Sequence, residues 1–190
     1  MGLFSKNSYK IKGNTCTVTF NVPGELTKER AEKILDKPKV WACKKIEAVI
    51  GESVTTIGYD AFYSCWDLTS IKIPDSVTTI GGSAFSGCTS LTSIEIPDSV
   101  TTIGDHAFWN CTRLTSIKIS DSVTTIVKSA FSGCISLASI KIPHSVTTIG
   151  DYAFEYCTRL TIYCEAQSQP SGWALIWNSD DCPVVWGWNQ

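Results

Sequence analysis

Residues 76–98 read SVTTIGGSAFSGCTSLTSIEIPD, and residues 99–121 return the same text as SVTTIGDHAFWNCTRLTSIKISD. The frame extends in both directions. Val54–Ile57 recurs as Val77–Ile80, Val100–Ile103, Val123–Ile126 and Val146–Ile149, always 23 residues apart. Ala61-Phe62 and Cys65 recur in step, as Ala84-Phe85 with Cys88 and onward to Ala153-Phe154 with Cys157. Leu68-x-x-Ile71-x-Ile73-Pro74 recurs at 91–97 and 137–143, and 114–120 keeps its apolar positions with Ser120 in place of proline. Five copies in one register define the fold before any other feature is weighed.

A single 23-residue copy has too few apolar side chains to close a core, so each coil must stack on its neighbours. Stacking turns Val54, Ile57, Ala61, Phe62, Cys65, Leu68, Ile71 and Ile73 into internal ladders. Ile71-Lys72-Ile73 alternates as a half-buried strand does, and Pro74 ends it because proline has no N–H for a ladder. Gly58 and the run 61–65 predict a turn followed by one short helical or 3₁₀ turn. Five coils at about 4.8 Å per rung predict a stack of about 24 Å.

The pattern S-V-T-T-I-G-x-x-A-F-x-x-C-x-x-L-x-x-I-x-I-P resembles the BspA-like, or treponemal-type, leucine-rich repeat family. The resemblance covers about 54–168, with an irregular leading half-coil at Cys43–Val49, where Cys43 precedes Cys65 by 22 residues. It implies an α/β right-handed solenoid with parallel strands and short helical or 3₁₀ turns, and a role in adhesion or protein recognition on microbial surfaces rather than catalysis. The asparagine usual in leucine-rich repeats is absent; Ser76, Ser99, Ser122 and Ser145 stand near its place and are expected to cap buried backbone groups.

The flanks read as lids within one domain: 1–53 as an N-terminal cap, 54–168 as five repeats and 169–190 as a Trp-rich C-terminal cap. A strand at Tyr9–Lys12, a turn at Gly13-Asn14 and a strand carrying Cys16, Val18 and Phe20 precede Pro23-Gly24. A helix is expected from about Thr27 to Lys37, stopped by Pro38, with Ala31, Ile34 and Leu35 on its buried face. Trp173, Trp177, Trp186 and Trp188 read first as a lid on the last rung and second as a carbohydrate-stacking platform.

Charge narrows the function. Sixteen basic against eighteen acidic residues leave a net charge of −2, unlike a nucleic-acid binder, although residues 1–53 hold ten of the basic groups against six acids. No apolar run is long enough for a membrane helix. Met1–Lys6 starts like a myristoylation signal but carries Lys6 where serine or threonine is needed. The lack of a secretory leader points to the cytoplasm and the family resemblance to the cell surface or secretion.

Nine cysteines leave at least one thiol unpaired. Cys65, Cys88, Cys111, Cys134 and Cys157 are expected to pack as small apolar groups. Cys16, Cys43, Cys164 and Cys182 are the disulfide candidates, Cys164 with Cys182 above all. His106 and His144 occupy different repeat positions, so no metal site is expected, and no cofactor motif or catalytic constellation appears. Asp75, Asp98 and Asp121 read as turn residues.

What remains is surface for a protein partner, and the family resemblance implies a host or matrix protein. The outward strand row comprises Ser70, Lys72, Ser93, Glu95, Ser116, Lys118, Ser139 and Lys141. A second row holds aromatics at positions where other copies carry small residues: Tyr63, Trp66, Trp109 and Tyr156, with Tyr59 and Tyr152 beside them. The paired threonines, such as Thr55 and Thr56, are expected to point to opposite faces, so that no flat double row forms.

Overall fold

Gly13, at φ +58°, turns the chain between β1 (Ser8–Lys12) and β2 (Thr15–Phe20), which pair antiparallel. The computed structural model describes residues 7–189, without the side chains of Pro38 and Trp41; the Met1–Lys6 start lies outside these residues. In β2 the side chains of Cys16, Val18 and Phe20 are buried, and the intervening threonines are half-buried. After β3 (Gly24–Leu26) comes α1 (Lys28–Leu35), where Thr27 Oγ1 accepts the Arg30 N–H and Ala31, Ile34 and Leu35 are buried. Pro38 does not simply stop the helix. It opens a second, α2 (Pro38–Trp41), because the first helical position has no N–H bond to lose. The chain then enters β4 (Lys45–Ile50), parallel to β2 with Cys16 opposite Ile46.

Each coil that follows contributes two strands. They are β5 (Val54–Ile57) and β6 (Leu68–Lys72); β7 (Thr79–Ile80) and β8 (Ser93–Glu95); β9 (Thr102–Ile103) and β10 (Ser116–Lys118); β11 (Thr125–Ile126) and β12 (Ser139–Ile142); and β13 (Thr148–Ile149) and β14 (Thr161–Cys164). A last strand, β15 (Val184–Val185), lies parallel to β14. β3, β5, β7, β9, β11 and β13 make one six-stranded parallel sheet. The Leu68–Lys72 strand and its repeats form a second face in three pieces, ordered β1-β2-β4-β6, β8-β10 and β12-β14-β15. Pairings such as Thr56 with Thr79 and Ile94 with Ile117 carry the 23-residue step directly. The architecture is the expected α/β repeat solenoid. Among the described residues, no helix is long and apolar enough to cross a membrane.

Phenylalanine forms the axis of the core. Phe62, Phe85, Phe108, Phe131 and Phe154 stack with ring centroids 5.3–5.6 Å apart and planes within 11° of parallel. Phe20 meets the first ring edge-on at 5.3 Å, and Trp177 meets the last edge-on at 5.9 Å. An offset stack thus ends in T-shaped contacts, both favourable for aromatic quadrupoles.

The short helical turns expected around 61–65 are absent. Instead each coil places two left-handed residues four apart: Asp60 and Ser64, Ser83 and Gly87, His106 and Asn110, Ser129 and Gly133, Tyr152 and Tyr156. A left-handed residue interrupts any 3₁₀ run, so the segment becomes consecutive i→i+3 turns, such as Ala61 N–H to the Gly58 carbonyl. The alternate N–H groups of Asp60, Phe62 and Ser64 are freed to bond Gly82, Ala84 and Ser86 of the next coil.

The threonine pairs also depart from expectation. Val54 and Ile57 are both buried, while Thr55 is exposed and Thr56 half-buried. Thr124 Oγ1 and Thr125 Oγ1 lie 3.5 Å apart, so the two hydroxyls share the outer side. The reason is a corner in the chain. In later coils the ladder strand begins only at the second threonine, and the hydroxyl of the first donates to the threonine carbonyl one coil earlier, as Thr78 does to Thr55. The serines do as expected in three coils: Ser76, Ser99 and Ser145 donate to the carbonyls of Val54, Val77 and Val123.

Candidate partner-binding surfaces

The strand face carries its predicted row outward: Ser70, Lys72, Ser93, Glu95, Ser116, Lys118, Ser139 and Lys141 are all exposed. Much of its charge is spent within the protein. Lys118 Nζ donates to Glu95 Oε1, and this carboxylate raises the lysine's pKa. Lys141 Nζ sits 4.2 Å above the Trp188 ring. Lys72 is in neither contact, and it borders a shallow groove of about 320 Å³ over Ile71, Ile73 and Ile96.

The terminal tryptophans do not form an open platform. Trp173 and Trp177 are each only 4% exposed. Trp173 Nε1–H donates to the Val146 carbonyl at 3.1 Å, the place in the ladder that a serine hydroxyl fills for Val54, Val77 and Val123. Trp186 packs against both indoles, and Trp188 meets Tyr163 edge-on beneath Lys141. The carbohydrate reading loses its two leading faces because burial of the last rung consumes them.

All nine cysteines are free thiols, so the four disulfide candidates stand unbridged. Cys88, Cys111, Cys134 and Cys157 each donate Sγ–H to a phenylalanine carbonyl 26 residues earlier. Cys182 donates likewise to the Cys157 carbonyl, and Cys43 to that of Lys39. Cys65 is the one member of the repeat ladder without such a bond among the described residues, and the one not fully buried.

That exception marks a cleft. The turn-side aromatics are open to solvent, with Tyr59 68% exposed, Trp66 66%, Tyr156 60% and Tyr63 46%; Trp109 is exposed further up the stack, and Tyr152 is half-buried. Tyr63 and Trp66 also wall a cavity of about 420 Å³ between α1 and the first coil, with Cys65 in its lining. Leu35 and Ile46 give it apolar surface, and Glu32, Asp36 and Asp67 give it carboxylates. The cavity exists because α1 is a helix. A helix about 10 Å across cannot follow a turn spaced for a 4.8 Å rung. The aromatics are legible in the sequence but the acids are not, since nothing in the order of residues joins Glu32 to Asp67.

Electrostatics follow from this lining. Burial pushes the Cys65 thiol up to about 12, with Glu32, Asp36 and Asp67 adding to the rise and Lys28 opposing it. The field there is net negative. Lys28 Nζ lies 5.3 Å from the Tyr63 ring centroid, so that ring already receives an ammonium.

The sequence model of the BspA type leucine rich repeat region matches residues 40–163 in six copies. No curated protein matches the chain. Among solved structures, the leucine-rich repeat protein of T. pallidum is similar at 30% identity and a TM-score of 0.62, over 83% of this chain and 68% of that one. A leucine-rich cell surface protein of Faecalibacterium prausnitzii is similar at 27% identity and 0.61, over 88% and 55%. One from Bacteroides ovatus is similar at 26% and 0.52, over 90% and 57%. The chain spans little more than half the length of the last two.

Proposed function

Because the chain belongs to the BspA-type leucine-rich repeat family, we propose that it is a non-catalytic recognition module, of the adhesion type, that binds a protein partner through the aromatics on its turn side. The observation that carries this reading is Trp66. It is 66% exposed at a position where the other coils carry Thr89, Thr112, Ile135 and Thr158, so packing does not require an indole there. Exposed tryptophan and tyrosine supply a disproportionate share of binding energy at protein interfaces. The strand face is the second reading, favoured by the open groove beside Lys72. A host or matrix protein suits either surface, since one relative is a cell surface protein.

The test is capture from a lysate and an extracellular-matrix panel by three forms of the chain. One is unaltered, one carries Trp66→Thr with Tyr63→Ser, and one carries Lys72→Glu with Lys118→Glu. The first pair imports residues that the second coil already holds, Thr89 and Ser86, so the fold persists. The expected result is a partner held by the unaltered chain and by the lysine variant, and lost by the aromatic variant. Loss in the lysine variant alone would move the site to the strand face.

A further inference from the structure

Three features of the cleft between α1 and the first coil call for the same occupant. Its polar side chains are mainly acceptors, with Glu32 and Asp36 on the helix side and Asp67 on the coil side. One carbonyl of its lining also lacks a backbone donor. Ser86 receives the Ser64 N–H from the coil before it, but the equivalent carbonyl of Tyr63, which lines the cleft, receives no backbone donor among the described residues. Thirdly, Trp66 and Tyr63 offer ring faces, and the Tyr63 ring already attracts the Lys28 ammonium. Lys28 is one cation against three carboxylates.

We propose that this cleft receives an arginine side chain of the protein partner. The proposal deepens the recognition-module reading and rests on it. A guanidinium suits the site better than an ammonium, because its plane stacks on an indole while its five N–H donors can serve several acceptors together. Its aliphatic stem covers Leu35 and Ile46.

The probe is N-acetyl-arginine amide, titrated into the ¹⁵N-labelled full chain and followed by NMR. Its neutral isostere, N-acetyl-citrulline amide, is titrated in parallel. The expected result is saturable movement of the Trp66 indole N–H and of the Ser64–Asp67 amides with arginine, at least about tenfold weaker with citrulline. Glu32→Gln with Asp67→Asn should weaken arginine about tenfold while leaving the rest of the spectrum in place, since two partly exposed ion pairs contribute on that scale. Equal response to citrulline, or no saturable movement at these residues, would overturn the proposal.

Partner capture separates this proposal from the reading beneath it. Capture lost with Trp66→Thr and Tyr63→Ser but kept with Glu32→Gln and Asp67→Asn would refute the arginine while sparing the aromatic surface. Capture kept by both variants would refute the aromatic surface as the partner site, and the arginine proposal with it.

Discussion

A thiol in the cysteine ladder serves as a small apolar packing group with one weak donor, and both properties are used. Burial pushes Cys111 and Cys157 up to about 12 and raises Cys88 and Cys134 well above the ordinary thiol range. The unfolded chain should ionise the same thiols near pH 8.5. Below that value both states keep their protons, and the ladder adds no pH dependence. Above it the unfolded state binds fewer protons than the native one, so stability falls as pH rises towards 12. Urea midpoints at pH 8 and pH 10.5 should show this fall. Replacing Cys88, Cys111 and Cys134 with alanine should lower both midpoints and shrink the difference between them. An unchanged difference would assign the alkaline loss to other groups. The ladder's burial was legible from its position beside Ala-Phe in every copy. The exception at Cys65 was not, because it depends on what precedes the first coil.

The phenylalanine stack is the element whose loss should be felt most. Phe108 sits between two parallel rings at 5.3 and 5.4 Å and is fully buried, so Phe108→Ala should cost about 3–5 kcal/mol by the usual penalty for emptying an aromatic site. Trp177→Ala removes the edge-on ring beneath Phe154 instead. Hydrogen exchange should then quicken first around 148–164, with 46–80 keeping its protection, and uniform acceleration would mean that the stack opens as one unit. Period and apolar spacing made this stack legible. They could not reveal the turns beside it, since only Gly87 and Gly133 among the ten left-handed positions are glycine. Ser, Asp, Asn, His and Tyr hold the rest, and the inter-coil hydrogen bonds from alternate N–H groups hold the backbone in that conformation. The threonine face is illegible for a related reason. Strand alternation does not hold where the ladder strand begins only at the second of the two residues.

Coils that contact only their neighbours should be interchangeable across the whole molecule, and the 23-residue step makes that testable. Excising residues 92–114 joins Leu91 to Thr115, which occupies the same place in its coil as Thr92. Every internal ladder is then rejoined, and the shortened chain should fold and melt cooperatively, at a lower Tm because one coil's buried surface is gone. Excising 92–113 joins Leu91 to Leu114 and slips the following strand by one residue. Ser116 would then take the inward position of Ile94 and Ile117 would face water, so this chain should not fold. The correct excision also removes Glu95 and leaves Lys72, Lys118 and Lys141 on successive rungs, without the ion pair that now engages Lys118. A partner held by the strand face should respond to that change in charge. One held at α1 and the first coil should not, and N-acetyl-arginine amide should move the Trp66 indole N–H as before. Failure of the 23-residue excision to fold would show that the third coil, with His106 and Asn110 in left-handed geometry, supplies something its neighbours cannot.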